Sequence, residues 1–94
     1  MIIALNSLHK RKIIYRNLKP ENILLGEDGY IRLTDFRSSE VVGSRVPYAS
    51  SGGTPDYLAP ELLDDREHSY PVDWWALGIL IFELIVGYPP YYTG

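Results

Sequence analysis

The run "PVDWWALGILIFELIVG", residues 71–87, constrains this chain more than any other stretch. Its only charged residues are Asp73 and Glu83. Asp73 reads as an N-cap, Gly87 as a C-terminal stop, and Pro89 and Pro90 forbid continuation, so the run predicts one long helix. That helix is apolar on nearly every side, and a helix hydrophobic all round needs neighbours all round. Interrupted by Glu83, it is also too short to span a bilayer. A chain of 94 residues supplies few such neighbours. Alone it would bury only about 60–65% of its unfolded surface. The chain is therefore expected to be the middle of a larger domain.

The totals set further bounds. The apolar fraction of 46% belongs to a globular core. Nine basic against twelve acidic residues give a net charge of −3, with no basic excess to suggest nucleic acid. The lack of cysteine removes disulfides and thiolate metal sites and fits a reducing compartment. The opening "MIIALNSLHKRK" is no secretory signal, because its apolar stretch is short and its charges follow that stretch. These features lead one to expect a soluble, cytoplasmic protein with no membrane partner.

Along the chain, Ile2, Leu5 and Leu8 recur at helical spacing, and the cations that follow suit a helix C-terminus. A helix over about residues 1–10 is expected, then a short apolar run, "KIIY", compatible with a strand. "ENILLGEDGYIRLTDF" reads as a hairpin, with a Gly-Glu-Asp-Gly turn between residues 23–25 and an alternating second arm. From Arg37 to Pro60 no period survives, and a long ordered or disordered loop is expected. "APELLDD" is compatible with a short helix. His9 and His68 lie far apart, lack ligand spacing and are read as surface or core residues.

Four pieces stand in order: "YRNLKPEN" (15–22), "DFR" (35–37), "GTPDYLAPE" (53–61) and "DWWALG" (73–78). Together they resemble the lower lobe of a protein kinase, whose catalytic loop runs His/Tyr-Arg-Asp-x-Lys-x-x-Asn, followed by Asp-Phe-Gly, Ala-Pro-Glu and Asp-x-Trp-x-x-Gly. With "GYPP" (87–90), the variants are most similar to the cyclic-nucleotide-dependent, AGC-type serine/threonine kinases. The resemblance covers essentially the whole chain. It implies a mainly α C-lobe fragment, truncated at both ends, with a small β-hairpin carrying the catalytic loop. Residues 1–94 would then be one partial kinase domain without an upper lobe.

The resemblance also assigns roles. A transferring phosphoryl group spreads charge over its oxygens and needs metal ions and a cation. Asp35 and Asn22 would hold magnesium, Lys19 would neutralise the moving phosphate, and Leu24 would floor the adenine pocket of ATP. Asn17 occupies the position that orients and deprotonates the substrate hydroxyl, with Thr54 hydrogen-bonding near Asn17 and Lys19. Taken singly, Lys19 reads as a surface cation, Asn22 as a turn former and Asp35 as a helix cap. Four motifs in order favour the site.

Three departures bear on activity. The amide of Asn17 is almost no base, and loss of a positioned base typically costs about 10²–10⁴ in rate. Arg37 replaces a glycine, whose backbone angles arginine resists, and brings positive charge towards the metal positions. The chain has no Gly-rich loop, upper-lobe lysine or helix glutamate to cover ATP. Glu61 pairs in the family with an arginine from a region this chain does not contain, so it is expected to be exposed, protonated or destabilising.

The remaining assignments concern specificity and control. Glu21 and Glu83 match positions that hold an arginine upstream of the modified serine or threonine, which points to a basic peptide. Glu83 reads equally as a buried acid satisfied by tyrosine hydroxyls or backbone. Pro55 and Leu58 would line a small apolar pocket after the phosphosite. Ser50 aligns with an activation-loop phosphosite whose partner would be Arg16, although Ser50 and Ser51 also read as ordinary loop serines. Asp73 would accept hydrogen bonds from the catalytic-loop backbone, beside or instead of capping the helix. Tyr15 and Phe36 would stack in an internal apolar column. The leading expectation is thus a serine/threonine kinase-like fragment with impaired chemistry. The alternatives are a non-catalytic module docking on a full kinase or a basic peptide, and a partial product without a stable fold.

Overall fold

The computed structural model of the chain describes residues 1–44, 55–64 and 66–91. Ser50, Ser51 and Thr54 therefore lie outside the described residues. Helix α1 covers Ile2–Lys10, with Leu5 buried and His9 and Lys10 in the last turn, where cations oppose the helix dipole. Lys12, at φ 60°, then turns the chain into strand β1, Ile13–Ile14.

The hairpin forms as its alternation predicts. Strand β2, Ile23–Leu25, pairs antiparallel with β3, Ile31–Leu33, in the register Ile23 to Leu33 and Leu25 to Ile31. Gly26 N–H donates to the Tyr30 carbonyl at 2.8 Å, and Gly29 takes φ 84°, a left-handed angle that favours glycine.

The described residues of the region read as an unbroken loop contain two pieces of regular structure. Strand β4, Glu40–Val41, pairs antiparallel with β1, placing Ile14 opposite Glu40. A 3₁₀ turn covers Pro55–Tyr57. A two-residue strand shows no alternation in sequence and forms only because a distant partner supplies its ladder.

Helix α2, Pro60–Leu63, precedes α3, Pro71–Val86. Gly87 ends α3 at φ 103°, its N–H donating to the Glu83 carbonyl at 2.7 Å. The start differs from the expected N-cap at Asp73. Tyr70 is the N-cap and makes no side-chain capping bond, and Asp73 sits inside the first turn with its carboxylate aimed elsewhere.

The expectation that α3 is buried on every side is also corrected. Val72, Asp73, Ala76, Leu77, Ile79 and Leu80 are buried, whereas Ile81, Leu84 and Ile85 are exposed. The exposed apolar residues gather towards the C-terminal half of the helix, where Tyr57 still reaches Glu83, and Trp75 stacks on Tyr91.

Helix α3 joins two core clusters. One gathers Leu5, Tyr15 and Leu18 against Ala76, Leu77 and Leu80. The other gathers Ile14, Ala59 and Leu62 against Val72. Among the described residues, no helix is long and apolar enough to cross a membrane.

Candidate functional site

The site is built outward from Asp73, which is 0% exposed. Its Oδ2 accepts the Tyr15 N–H at 2.8 Å and the His9 Nε2–H at 2.7 Å, while Oδ1 accepts the Arg16 N–H at 2.8 Å. A carboxylate taken out of water needs such donors. Of the two readings of Asp73, the catalytic-loop anchor is the one observed. His9, read as a surface or core residue, is nearly buried beside this carboxylate and packs edge-on against Trp74 at 5.4 Å.

Held there, the loop after β1 takes an unusual shape. Arg16 adopts φ 64°, a left-handed angle uncommon for a residue with a side chain, and its side chain is buried. Its Nε–H donates to the Ser38 carbonyl at 2.6 Å, and an Nη1–H donates to Glu40 at 2.9 Å. Tyr15 is fully buried, and its hydroxyl donates to the Thr34 carbonyl. Burial, and then the Asp35 and Asp73 carboxylates, push that hydroxyl's pKa well above its ordinary value, so it remains a donor. Phe36 meets the Tyr15 ring edge-on at 5.3 Å, but it is 49% exposed, so the expected internal column does not enclose it among the described residues.

The loop and the hairpin then bring three of the predicted residues, Asn17, Asn22 and Asp35, beside one another. Asn22 lies in a 3₁₀ turn, Pro20–Asn22, immediately before β2. Its Nδ2–H donates to the Asn17 carbonyl at 2.8 Å. The Asn22 carbonyl accepts the Thr34 N–H at 2.9 Å, which fixes the residue before Asp35. Asn17 Nδ2–H in turn reaches the Asp35 carbonyl at 3.3 Å. Asn17, Asn22 and Asp35 are thus neighbours. Lys19 joins them through its backbone, its carbonyl accepting the Asn22 N–H at 3.0 Å, while its side chain makes no hydrogen bond or ion pair with the three.

Asp35 carries the left-handed angle of the second segment, at φ 59°. The expectation that Arg37 would suffer from losing a glycine is therefore corrected, because Arg37 is absent from the positive-φ positions and the strain falls two residues earlier. Arg37 acts through its side chain instead. Its Nε–H donates to Asp35 Oδ1 at 2.7 Å and an Nη2–H donates to Oδ2 at 2.8 Å, a bidentate clasp. These bonds from Arg37 hold the Asp35 carboxyl well down, at a pKa of about 2.

Asn22 and Asp35 have the hard oxygen donors that suit magnesium. In the observed arrangement they do not fit the ion, because a guanidinium engages both oxygens of the one carboxylate. Among the described residues, no group of three His, Cys, Asp or Glu side chains is placed to hold a metal.

The specificity residues divide. The Tyr57 hydroxyl donates to Glu83 Oε1 at 2.5 Å, so Glu83 is the acid satisfied by a tyrosine. Burial raises the Tyr57 pKa, its hydrogen bond to Glu83 adds to the rise, and the nearby Glu83, Glu21 and Asp56 charges act in the same direction. Glu21 is exposed beside it. Pro55 is exposed, whereas Leu58 turns partly into the second core cluster. Leu24 lies exposed on the hairpin. Glu61 is half-buried in the first turn of α2, and its carboxylate has no hydrogen-bond or ion-pair partner among the described residues.

Sequence reasoning missed His9, Glu40 and His68. No motif includes them, and each works through a partner far away in the chain.

The catalytic-loop geometry and its anchor on α3 define a class of protein, and comparison with known proteins agrees. The protein kinase domain family matches residues 1–94, and the chain belongs to the protein kinase family. It is 51% identical over 92 residues to the cAMP-dependent protein kinase catalytic subunit of Dictyostelium discoideum, covering 98% of this chain and 14% of that protein. The same identity and coverage hold for the human cAMP-dependent protein kinase catalytic subunit PRKX, of which the match spans 25%. The cAMP-dependent protein kinase type 3 of Saccharomyces cerevisiae is 49% identical over 91 residues, covering 97% of this chain and 22% of that protein. The chain thus spans between about a seventh and a quarter of these relatives.

Proposed function

We propose that this chain is a lower-lobe segment of a serine/threonine protein kinase in which phosphoryl transfer is disabled. The parent reaction, by family, moves the γ-phosphate of ATP to a serine or threonine hydroxyl of a basic peptide, with magnesium supplying the positive charge. The observation that carries the reading is the Arg37 clasp on Asp35. It supplies an internal cation where a metal ligand is needed. Asn17 adds to the loss. Its amide nitrogen donates into the site, and the side chain has no group that takes up a proton near neutrality.

A radiolabelled-ATP assay with magnesium and a basic serine peptide tests this. Incorporation is expected to equal that of Asp35→Ala. Turnover by the native chain that Asp35→Ala abolishes would refute the reading. Grafting the segment with Asn17→Asp and Arg37→Gly into a complete kinase is expected to support activity that the native segment does not.

A second reading is favoured by the carboxylates around Tyr57. With Glu21 exposed and Glu83 held by Tyr57, the surface suits a basic peptide even without catalysis. Fluorescence anisotropy with an arginine-containing peptide is expected to show salt-sensitive binding that Glu21→Lys with Glu83→Lys abolishes. Binding unaffected by this charge reversal would remove the reading.

A further inference from the structure

Arg16, Glu40 and His68 form a polar cluster in the interior. The Arg16 and Glu40 side chains are 1% and 7% exposed. His68 lies in the segment before α3, and its Nε2–H donates to Glu40 Oε2 at 2.8 Å. The same oxygen accepts from Arg16. Glu40 reaches this position because β4 pairs with β1, setting it opposite Ile14 at the entrance to the catalytic loop. The Ser39 hydroxyl, donating to the Tyr15 carbonyl at 3.3 Å, reinforces the same approach.

Such a cluster needs a reason. Burying a carboxylate and a guanidinium costs desolvation of both, and an apolar pair would pack as well. What the pair adds is a fixed direction for Arg16, a residue already in a left-handed backbone angle beside the Asp73 anchor. A phosphate group on a following segment commonly performs this task, ordering a loop by pairing with an arginine. Here an anion is already in place, contributed by the fold.

We propose that Glu40, steadied by His68, is the standing anionic partner of Arg16, so that the loop 15–18 is ordered without a phosphate group. Glu40 is a positioning residue in this scheme. It acts on the loop through Arg16 and contributes nothing to bond making. Added negative charge beside Arg16 meets the Glu40 carboxylate and is repelled. The proposal rests on the kinase reading only for the role of the loop. Its test measures loop order and needs no phosphoryl transfer, so either can fail alone.

The experiment compares the full chain with Glu40→Ala, using inorganic phosphate as the probe. Amide exchange at residues 15–18 is expected to accelerate about ten- to a hundredfold in the variant, the loss of a hydrogen bond to a charged group. Phosphate is expected to slow it again, while glucose at equal concentration has no effect. Glu40→Asp is expected to retain most of the protection. Unchanged exchange in Glu40→Ala, or no response to phosphate, overturns the proposal. The native chain gives a readout that does not depend on the variant folding. Its Arg16 Nε–H resonance is expected to stay fixed as phosphate is added, and a saturable shift would mean that the guanidinium is open to a phosphate after all.

Discussion

Replacing Asp73 by asparagine removes one charge and little volume, yet it should weaken this fold severely. The carboxylate accepts from His9 and Tyr15 on one oxygen and from Arg16 on the other. An asparagine keeps one acceptor and turns an NH₂ group towards the opposite donor. With its oxygen at the two-donor end, it leaves the Arg16 N–H facing another donor in a fully buried site. An orphaned buried donor costs about 1–3 kcal/mol, and bonds to a neutral oxygen are weaker than those to a charged one, so the sum is about 2–4 kcal/mol. Domain stabilities are only about 5–15 kcal/mol. Equilibrium urea unfolding, followed through Trp74 and Trp75 on the same helix, should show a midpoint lowered by about 1–2 M. Exchange of the Tyr15 and Arg16 amides should rise in parallel. A midpoint shift corresponding to less than about 0.5 kcal/mol, the level of an ordinary surface change, would refute the anchoring role.

Other consequences are more local. Arg37→Gly should return the Asp35 carboxyl from a pKa of about 2 towards the ordinary carboxylate range, seen by NMR titration of its side-chain carbon. Because that pKa is depressed in the folded state, the clasp stabilises above the unfolded value of about 3.9 and loses its effect as pH falls through about 2, so only the native chain should show this acid-dependent step. Tyr15→Phe deletes the donor to the Thr34 carbonyl and should lower stability by about 1 kcal/mol in denaturant unfolding, with faster exchange in the hairpin. Gly87→Ala meets no steric obstacle but must adopt φ 103°, so it should cost about 1–2 kcal/mol and fray the last turn of α3 in amide exchange.

Much of the local structure was legible in the sequence because its signals are local. The alternation of Ile31 and Leu33 with Arg32 and Thr34 exposes the hairpin arm. The apolar run closed by Gly87 exposes the long helix. The ordered motifs were enough to set Asn17, Asn22 and Asp35 beside one another, and to assign Asp73 the task of holding the loop backbone. The start of α3 and the strain near Arg37 were misread for one reason. A capping residue and a left-handed angle each depend on where the backbone sits to within a residue or two, and composition does not resolve that.

Residue order alone thus determined the family, the hairpin and the longer helices, since each rests on patterns within a few turns of chain. Three-dimensional packing decided which charges meet. The pairing of β4 with β1 carries Glu40 to Arg16, and the segment before α3 brings His68 to the same carboxylate. The bend at Asp35 turns its carboxylate back onto Arg37. The pairs at Glu40 are buried, whereas the Asp35–Arg37 pair leaves its arginine in solvent and is set by the local bend; both the burial and the bend belong to the assembled fold.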